Sequence, residues 1–186
     1  MKRSLLCAVL ALFAIPSFAQ TVANGPYYAL PAWDQQIPAI QRFIALLNWG
    51  NGQAVLDRET GLVWESSPRS DVLNWATARG ACATRSTGGR RAWRLPSLPE
   101  LSSLMDPAAV SPSLPTGHPF TNVNVTFGVF YWTATTEATD VSRVWVVSFF
   151  NAGLSGPLPG GAVGTSGKNG SGFVWCVRGP MNADAY

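Results

Sequence analysis

The chain has 186 residues, a formal net charge of +3 and charged side chains at only 12 % of its positions, while hydrophobic residues occupy 47 %. This balance excludes a highly charged disordered chain, and the length is sufficient for one domain with its own core. Eighteen glycines and fourteen prolines predict many loops, and eight tryptophans and nine phenylalanines supply aromatic mass for a core.

The first nineteen residues have the pattern of a secretory signal peptide. A basic start (1–3) precedes an apolar run (5–15), and a small-x-small cleavage site ends at Ala19. The apolar run is too short to cross a bilayer as a helix. We therefore expect export to the periplasm or the cell exterior, cleavage after Ala19 and a soluble mature chain that begins at Gln20, with no membrane span.

Signal cleavage changes the charge of the protein. Lys2 and Arg3 leave with the signal, so 13 basic residues become 11 against 10 acidic ones, and the net charge falls to +1. A chain this close to neutral carries no charge argument for nucleic-acid binding. We therefore expect no nucleic-acid partner.

Two cysteines remain in the mature chain, Cys82 and Cys176, because Cys7 lies within the signal. An even number of cysteines in an oxidising compartment predicts a disulfide, and the alternative is two separate buried thiols. A bond between them would close much of the mature chain into one loop. The chain-entropy estimate for such a loop is roughly 4–5 kcal/mol of stabilisation.

Residues 20–52 are interpreted as an N-terminal arm and a first strand. Residues 20–38 show no periodicity, so they form either an extended arm over the domain surface or a disordered leader. The apolar run over 42–48 fits a helix or a strand, and the Asn-Gly turn at 51–52 favours the strand. Residues 53–66 then have the pattern of a hairpin.

Two helices are predicted next along the chain. Asp71 is a candidate N-cap for a helix over 71–83. Ser97 and Glu100 form a capping-box pattern with proline in the first turn, which predicts a short helix over 98–105.

The remainder of the chain alternates loops and strands. Residues 107–128 are proline-rich and predict a long loop, and residues 129–135 and 143–150 are rich in strand-forming side chains. Residues 151–172 contain many glycines and predict a second long loop or a pair of short ribbons. Residues 173–178 predict a last strand. This order is typical of an α+β domain and not of alternating βαβ units.

Five phrases stand in a specific order along the chain. They are Val55-Leu56-Asp57 with Thr60-Gly61-Leu62-Val63-Trp64; Trp75-Ala76 before Cys82; Trp93-Arg94-Leu95-Pro96-Ser97 with Glu100-Leu101; Tyr131-Trp132-Thr133-Ala134-Thr135; and Val174-Trp175-Cys176-Val177-Arg178-Gly179. Together they resemble the Lcl C-terminal domain family, a bacterial domain of unknown function found in collagen-like adhesins. The resemblance covers residues 53–180 and leaves 181–186 as a tail.

The resemblance implies a C-type lectin-like fold, with two helices packed on short antiparallel sheets and with long loops. In that fold a disulfide ties the first helix to the final strand, as Cys82 and Cys176 would here. The adhesin members are reported to bind sulfated polysaccharides, so the resemblance implies a binding or adhesion module. This chain has no collagen-like Gly-X-Y tract, and the trimeric presentation of those adhesins is not carried over.

An enzymatic role has little support in the sequence. The phrase over 93–96 also resembles formylglycine-generating enzymes, but those enzymes depend on reactive cysteines, and the two mature cysteines are assigned to a structural bond. His118 is the sole histidine and lies in the proline-rich loop, and none of the common catalytic or phosphate-binding motifs is present. We therefore expect a protein that is not an enzyme and that needs no cofactor.

The polar turn after residues 129–135 contains two carboxylates. Glu137 and Asp140 lie three residues apart in a polar turn and have the chemistry to help hold a hard cation. A solvated turn between two strands is the favoured interpretation. The calcium-binding phrases of sugar-binding C-type lectins are absent from the sequence, so the resemblance does not extend to that site.

The one sign-biased stretch of the chain contains five arginines without an intervening acid. Arginine forks suit sulfate and carboxylate groups. Arg94 belongs to a phrase that resembles the family and is interpreted as structural, and the simpler alternative is that the other arginines decorate a loop. The candidate binding residues for an anionic polysaccharide are Arg85, Arg90 and Arg91, with Arg79 nearby. A cell-envelope protein is the alternative partner, in which case the chain would be an accessory subunit of a surface assembly.

Indole rings stack on sugars but also fill small cores. Six tryptophans lie on predicted elements, and most of these six are therefore expected in the core: Trp64, Trp75, Trp93, Trp132, Trp145 and Trp175. Trp33 and Trp49 lie outside the family resemblance and are predicted to be exposed.

Overall fold

The computed structural model describes residues 37–153, 156–158 and 160–179. The predicted signal peptide, Cys7, Trp33 and the tail at 181–186 lie outside these residues, as does most of the predicted arm. Within them the protein is an α+β structure of short helices and small antiparallel sheets, which confirms the predicted class. Among the described residues there is no helix with the length and apolar character needed to cross a membrane.

The described elements follow in chain order, with a 3₁₀ turn at Thr87–Gly89 after the second helix. They are α1 (Ala39–Arg42), β1 (Phe43–Ala45), β2 (Ala54–Asp57), β3 (Val63–Glu65), α2 (Trp75–Ala83), α3 (Leu98–Ser102), β4 (Tyr131–Thr136), β5 (Arg143–Ser148), β6 (Asn151–Gly153), β7 (Gly156–Leu158), β8 (Ala162–Gly167) and β9 (Val177–Arg178).

The first sheet has four antiparallel strands in the order β1-β2-β3-β9. The strand predicted over 42–48 is present over Phe43–Ala45, and its start was wrong because a single helical turn, α1, ends at Arg42. The last strand was predicted over 173–178, yet only Val177–Arg178 pair with β3. This pairing places the end of the described chain beside the β2-β3 hairpin.

The second sheet has the order β4-β5-β8, and β8 corrects the prediction of a loop throughout 151–172. All six residues of β8 pair in register with β5. Its sequence, Ala-Val-Gly-Thr-Ser-Gly, has low strand propensity, so tertiary pairing determines its conformation. The ribbon β6-β7 matches the predicted alternative of short ribbons. Residues 107–128 contain no helix or strand, as predicted.

The two longer helices are present with corrected ends. The α2 helix begins at Trp75 because Asn74, and not Asp71, accepts the N–H of Thr77 at 2.9 Å. Asp71 pairs instead with Arg69 at the surface. The capping box before α3 is confirmed in both directions, but this helix ends at Ser102, three residues earlier than predicted, and tight turns follow.

Trp175 occupies the centre of an aromatic core. Its ring contacts Trp64, Phe120, Tyr131 and Phe149 at centroid distances between 4.9 and 5.9 Å. Most of the six tryptophans on predicted elements are buried, as predicted, namely Trp64, Trp93, Trp132 and Trp175, whereas Trp75 and Trp145 are half-buried.

The predicted disulfide is confirmed. Cys82 of α2 is bonded to Cys176, the residue before β9, and both residues are fully buried. The bond lies in a second core cluster that also holds Trp93 and Trp132. It therefore fastens the long helix to the segment that returns to the first sheet.

A buried ion network fastens α1 to the first sheet. The Arg42 guanidinium donates to both carboxylate oxygens of Asp57 at 2.9 Å and to the carbonyl oxygen of Ser103 at 2.8 Å. Its third nitrogen lies 2.6 Å from a carboxylate oxygen of Glu59. Burial raises the pKa of Glu59, and the Arg42 charge opposes that rise. This network joins three segments that are distant in sequence.

Candidate functional site

The Trp49 ring contacts two arginines, an arrangement that we call the Trp49 clamp (Trp49, Arg90 and Arg178). The guanidinium carbons of Arg90 and Arg178 each lie 5.3 Å from the centroid of the Trp49 ring. Such distances correspond to cation–π contacts. The prediction that Trp49 is exposed was wrong, since the ring is half-buried by these neighbours.

Gly88 allows the clamp to form. Its backbone has φ of +64°, and a Cβ at this position would lie 2.7 Å from the Cβ of Trp49. The N–H of Gly88 donates to the side-chain oxygen of Gln53 at 3.0 Å. A glycine is therefore required both by the backbone conformation and by the close approach of the hairpin loop that carries Trp49.

Three arginines of this surface have no carboxylate partner in the part of the chain that the structure describes. Arg91 is exposed, and its carbonyl oxygen accepts the Arg178 Nε–H at 2.8 Å, which holds Arg178 beside the predicted binding loop. Within the described ranges, Arg90, Arg91 and Arg178 form no ion pair with a carboxylate. The structure thus brings predicted residues Arg90 and Arg91 together with Arg178, which sequence reasoning missed because it lies far along the chain.

Arg85 has a different role from its neighbours. Its Nε lies 3.0 Å from Oε1 of Glu65, a buried carboxylate that also accepts the hydroxyl of Thr87 at 2.7 Å and the N–H of Cys176 at 3.3 Å. Arg85 therefore neutralises a buried charge and supports the loop that presents Arg90. The contact is an ion pair without hydrogen-bond geometry at Nε, and the Arg85 side chain remains 30 % exposed.

Arg94 is held in the structure by an acid. Its guanidinium donates to both oxygens of Glu100, at 2.6 and 2.7 Å, in the bidentate geometry that favours an arginine over a lysine. Glu100 is fully buried and also accepts the N–H of Ser97 at 2.8 Å. The structural interpretation of Arg94 agrees with this geometry.

A groove of about 570 Å³ lies between α2 and the segment 93–95. Trp75 stands at its edge and donates its indole N–H to the carbonyl oxygen of Thr133 at 2.8 Å. The Arg79 guanidinium carbon lies 4.8 Å from the Trp75 ring centroid, and Nζ of Lys168 lies 4.4 Å from it. The last of the predicted arginines, Arg79, therefore belongs to this groove and not to the Trp49 clamp.

Glu137 and Asp140, the two carboxylates of the cation hypothesis, bind residues close to them in sequence. Glu137 lies 3.1 Å from Nε of Arg143, and Asp140 accepts both the N–H and the hydroxyl of Ser142 at 2.9 and 2.6 Å. The hydrogen bonds from Ser142 lower the pKa of Asp140. Across the described part of the chain, no group of three or more potential metal ligands is found.

His118 packs in the proline-rich loop. Its ring stacks on Phe120 at a centroid distance of 5.9 Å, and burial lowers its pKa. Its buried Nδ1 has no hydrogen-bond partner among the described residues. These surroundings are typical of a neutral histidine with a packing role.

The fold and the site define a disulfide-bonded α+β domain that presents arginines ordered on indole rings. Residues 53–178 match the Lcl C-terminal domain, and because the match covers most of the chain, the protein belongs to this family. No curated protein matches the chain.

Proposed function

We propose that the protein is an exported, non-enzymatic binding or adhesion module for an anionic polysaccharide, with a C-type lectin-like fold. The Trp49 clamp is the observation that carries this proposal. Arginine forks bind sulfate and carboxylate groups through paired, charge-assisted hydrogen bonds. Family membership supports the fold, as does a disulfide that joins the long helix to the final strand segment.

Preorganisation favours the clamp as a binding surface. An exposed arginine loses side-chain entropy when it is fixed by a ligand, and this loss weakens binding. In the clamp Arg90 and Arg178 contact one indole, and Nε of Arg178 is already held by the Arg91 carbonyl. Part of the entropy loss therefore occurs on folding, before a ligand arrives.

A binding role without catalysis agrees with the chemistry of the described side chains. The sulfurs of Cys82 and Cys176 are joined to each other and buried, so neither is a free thiolate nucleophile. Among the described residues, the buried Nδ1 of His118 has no hydrogen-bond partner, so none of them is a nucleophile held by this atom.

The proposal is tested by changing Arg90 and Arg91 together to serine. We expect the Arg90→Ser/Arg91→Ser variant to bind a heparin-like polymer at least about tenfold more weakly than wild type, equivalent to about 1.4 kcal/mol. Calorimetry or surface plasmon resonance on the mature protein provides the measurement.

The matched control removes two positive charges elsewhere. Arg58 is exposed, and the ion pair of Arg69 found among the described residues is with the exposed Asp71. The Arg58→Ser/Arg69→Ser variant therefore has the same net charge as Arg90→Ser/Arg91→Ser, with little expected structural cost. Binding by this control should stay within about twofold of wild type, below about 0.5 kcal/mol. Equal losses in the two variants would indicate a nonspecific charge effect and contradict the proposal.

A role as an accessory subunit of a surface assembly is the second candidate. Ile40 is 78 % exposed and Leu47 is 72 % exposed, and both flank β1, the edge strand of the first sheet. Exposed apolar side chains beside the edge strand of a sheet are typical of protein contacts. Absence of polysaccharide binding, together with co-purification of an envelope protein that is lost in Ile40→Ser/Leu47→Ser, would favour this role.

A further inference from the structure

The two indoles that flank the basic surface share one arrangement. Trp49 orders Arg90 and Arg178, and Trp75 contacts Arg79 and Lys168 in the same way. We propose that the groove beside Trp75 is a second subsite for the same polymer and takes one or more sulfated or carboxylated hexose rings. This inference rests on the proposed function and deepens it.

The groove has the size and lining of a saccharide site. Its volume of about 570 Å³ lies within the range common for small-ligand sites. Small residues of α2, Gly80 and Ala83, leave one wall open, and Leu95 and Ala134 contribute apolar surface. Apolar surface beside a half-buried indole suits the C–H faces of a sugar ring, while Arg79 in the lining supplies positive charge.

The two cations on the Trp75 ring favour an anionic ligand over a neutral one: Arg79 lines the groove, and Lys168 contacts the ring beside it. Neither Arg79 nor Lys168 forms an ion pair with a carboxylate in the described part of the chain. Lys168 is also held in place, because its ammonium donates to the carbonyl oxygen of Val141 at 2.6 Å and its own carbonyl accepts the N–H of Trp75 at 3.1 Å. Two ordered cations beside an apolar groove complement a ring that bears sulfate or carboxylate groups.

The groove and the Trp49 clamp adjoin the same short segment. Trp93 lines the groove, and its indole N–H donates to the carbonyl oxygen of Arg90 at 2.9 Å. Arg94 follows and pairs through its backbone with Val177, the neighbour of Arg178. A single polymer chain that crosses this segment would therefore meet both pairs of cations.

The test fills the groove without removing any charge. An ideal Cβ on Gly80 meets no atom within 4 Å, so Gly80→Leu places a side chain in the open space and raises helix propensity. The control is Thr77→Leu, which adds an apolar side chain to an exposed position of α2 that does not line the groove. Thermal unfolding verifies that both variants are folded.

The probe is a size-defined sulfated heparin hexasaccharide, measured by calorimetry beside a neutral hexasaccharide. We expect Gly80→Leu to weaken hexasaccharide binding at least about tenfold and Thr77→Leu to leave it within about twofold. Equal affinity of Gly80→Leu and wild type would overturn the subsite, and so would equal affinity of wild type for the neutral sugar. If Arg90→Ser/Arg91→Ser still weakens polymer binding in that case, the proposed function survives. A wild-type protein that binds no sulfated polymer overturns both proposals.

Discussion

Replacement of both Cys82 and Cys176 by alanine is expected to lower the free energy of unfolding by roughly 4–5 kcal/mol. The sulfurs join residues 94 positions apart, so the bond restricts a large fraction of the unfolded chain. Both side chains are fully buried, so their removal also leaves small gaps in the core. Urea unfolding of the variant and of wild type gives the difference directly.

The matched control is wild-type protein unfolded under reducing conditions, which should lose a comparable amount of stability. A difference below about 1 kcal/mol between the double-alanine variant and oxidised wild type would contradict the stabilising role of the bond. The bond also connects α2, which forms the groove, to the segment that precedes Arg178. We therefore expect ligand affinity to fall together with stability.

Replacement of Arg42 by methionine is expected to lower the free energy of unfolding by about 3–5 kcal/mol. Asp57 is fully buried, and loss of the guanidinium leaves its carboxylate without a counter-charge, although Glu59 N–H and the Thr60 hydroxyl still donate to it at 3.0 Å. Methionine keeps much of the side-chain length, so the loss reports on the charge and its hydrogen bonds.

Arg58→Met is the matched control for this variant. Arg58 is exposed, and its one described side-chain hydrogen bond is a long contact of 3.4 Å to the carbonyl oxygen of Gln41. Its replacement should change the free energy of unfolding by less than about 0.5 kcal/mol. Similar values for the two variants in urea unfolding would refute the assigned importance of the buried network.

Local chemistry made part of the fold predictable from the sequence. The capping box at Ser97 and Glu100 needs only a four-residue pattern, and the disulfide prediction needed only two cysteines after the predicted signal peptide. The β8 strand was missed because its glycine-rich sequence has little intrinsic preference for a strand, and its conformation comes from pairing with β5. Asp71 and Asn74 are both residues that favour a helix N-cap, and in the structure Asn74 caps the helix while Asp71 pairs with Arg69.

The sequence predicted some of the residues of the candidate site but not the contacts that bring them together. The arginine-rich stretch contains Arg90 and Arg91. Trp49, in the loop between β1 and β2, and Arg178, on β9, come close to this stretch only in the folded chain. Sequence spacing carries no signal for such long-range contacts. The buried partner of Arg85, Glu65, lies on β3, so its internal role also became visible only in three dimensions.

The salt dependence of polymer binding tests most directly whether the arginines of the basic surface contact the anionic groups. Each arginine that neutralises an anionic group releases counterions, so the logarithm of the association constant should fall linearly with the logarithm of salt concentration. We predict such a fall for wild type with heparin, and a slope that is shallower by roughly two in Arg90→Ser/Arg91→Ser. An affinity that does not change with salt, or an identical slope in the variant, would contradict this account.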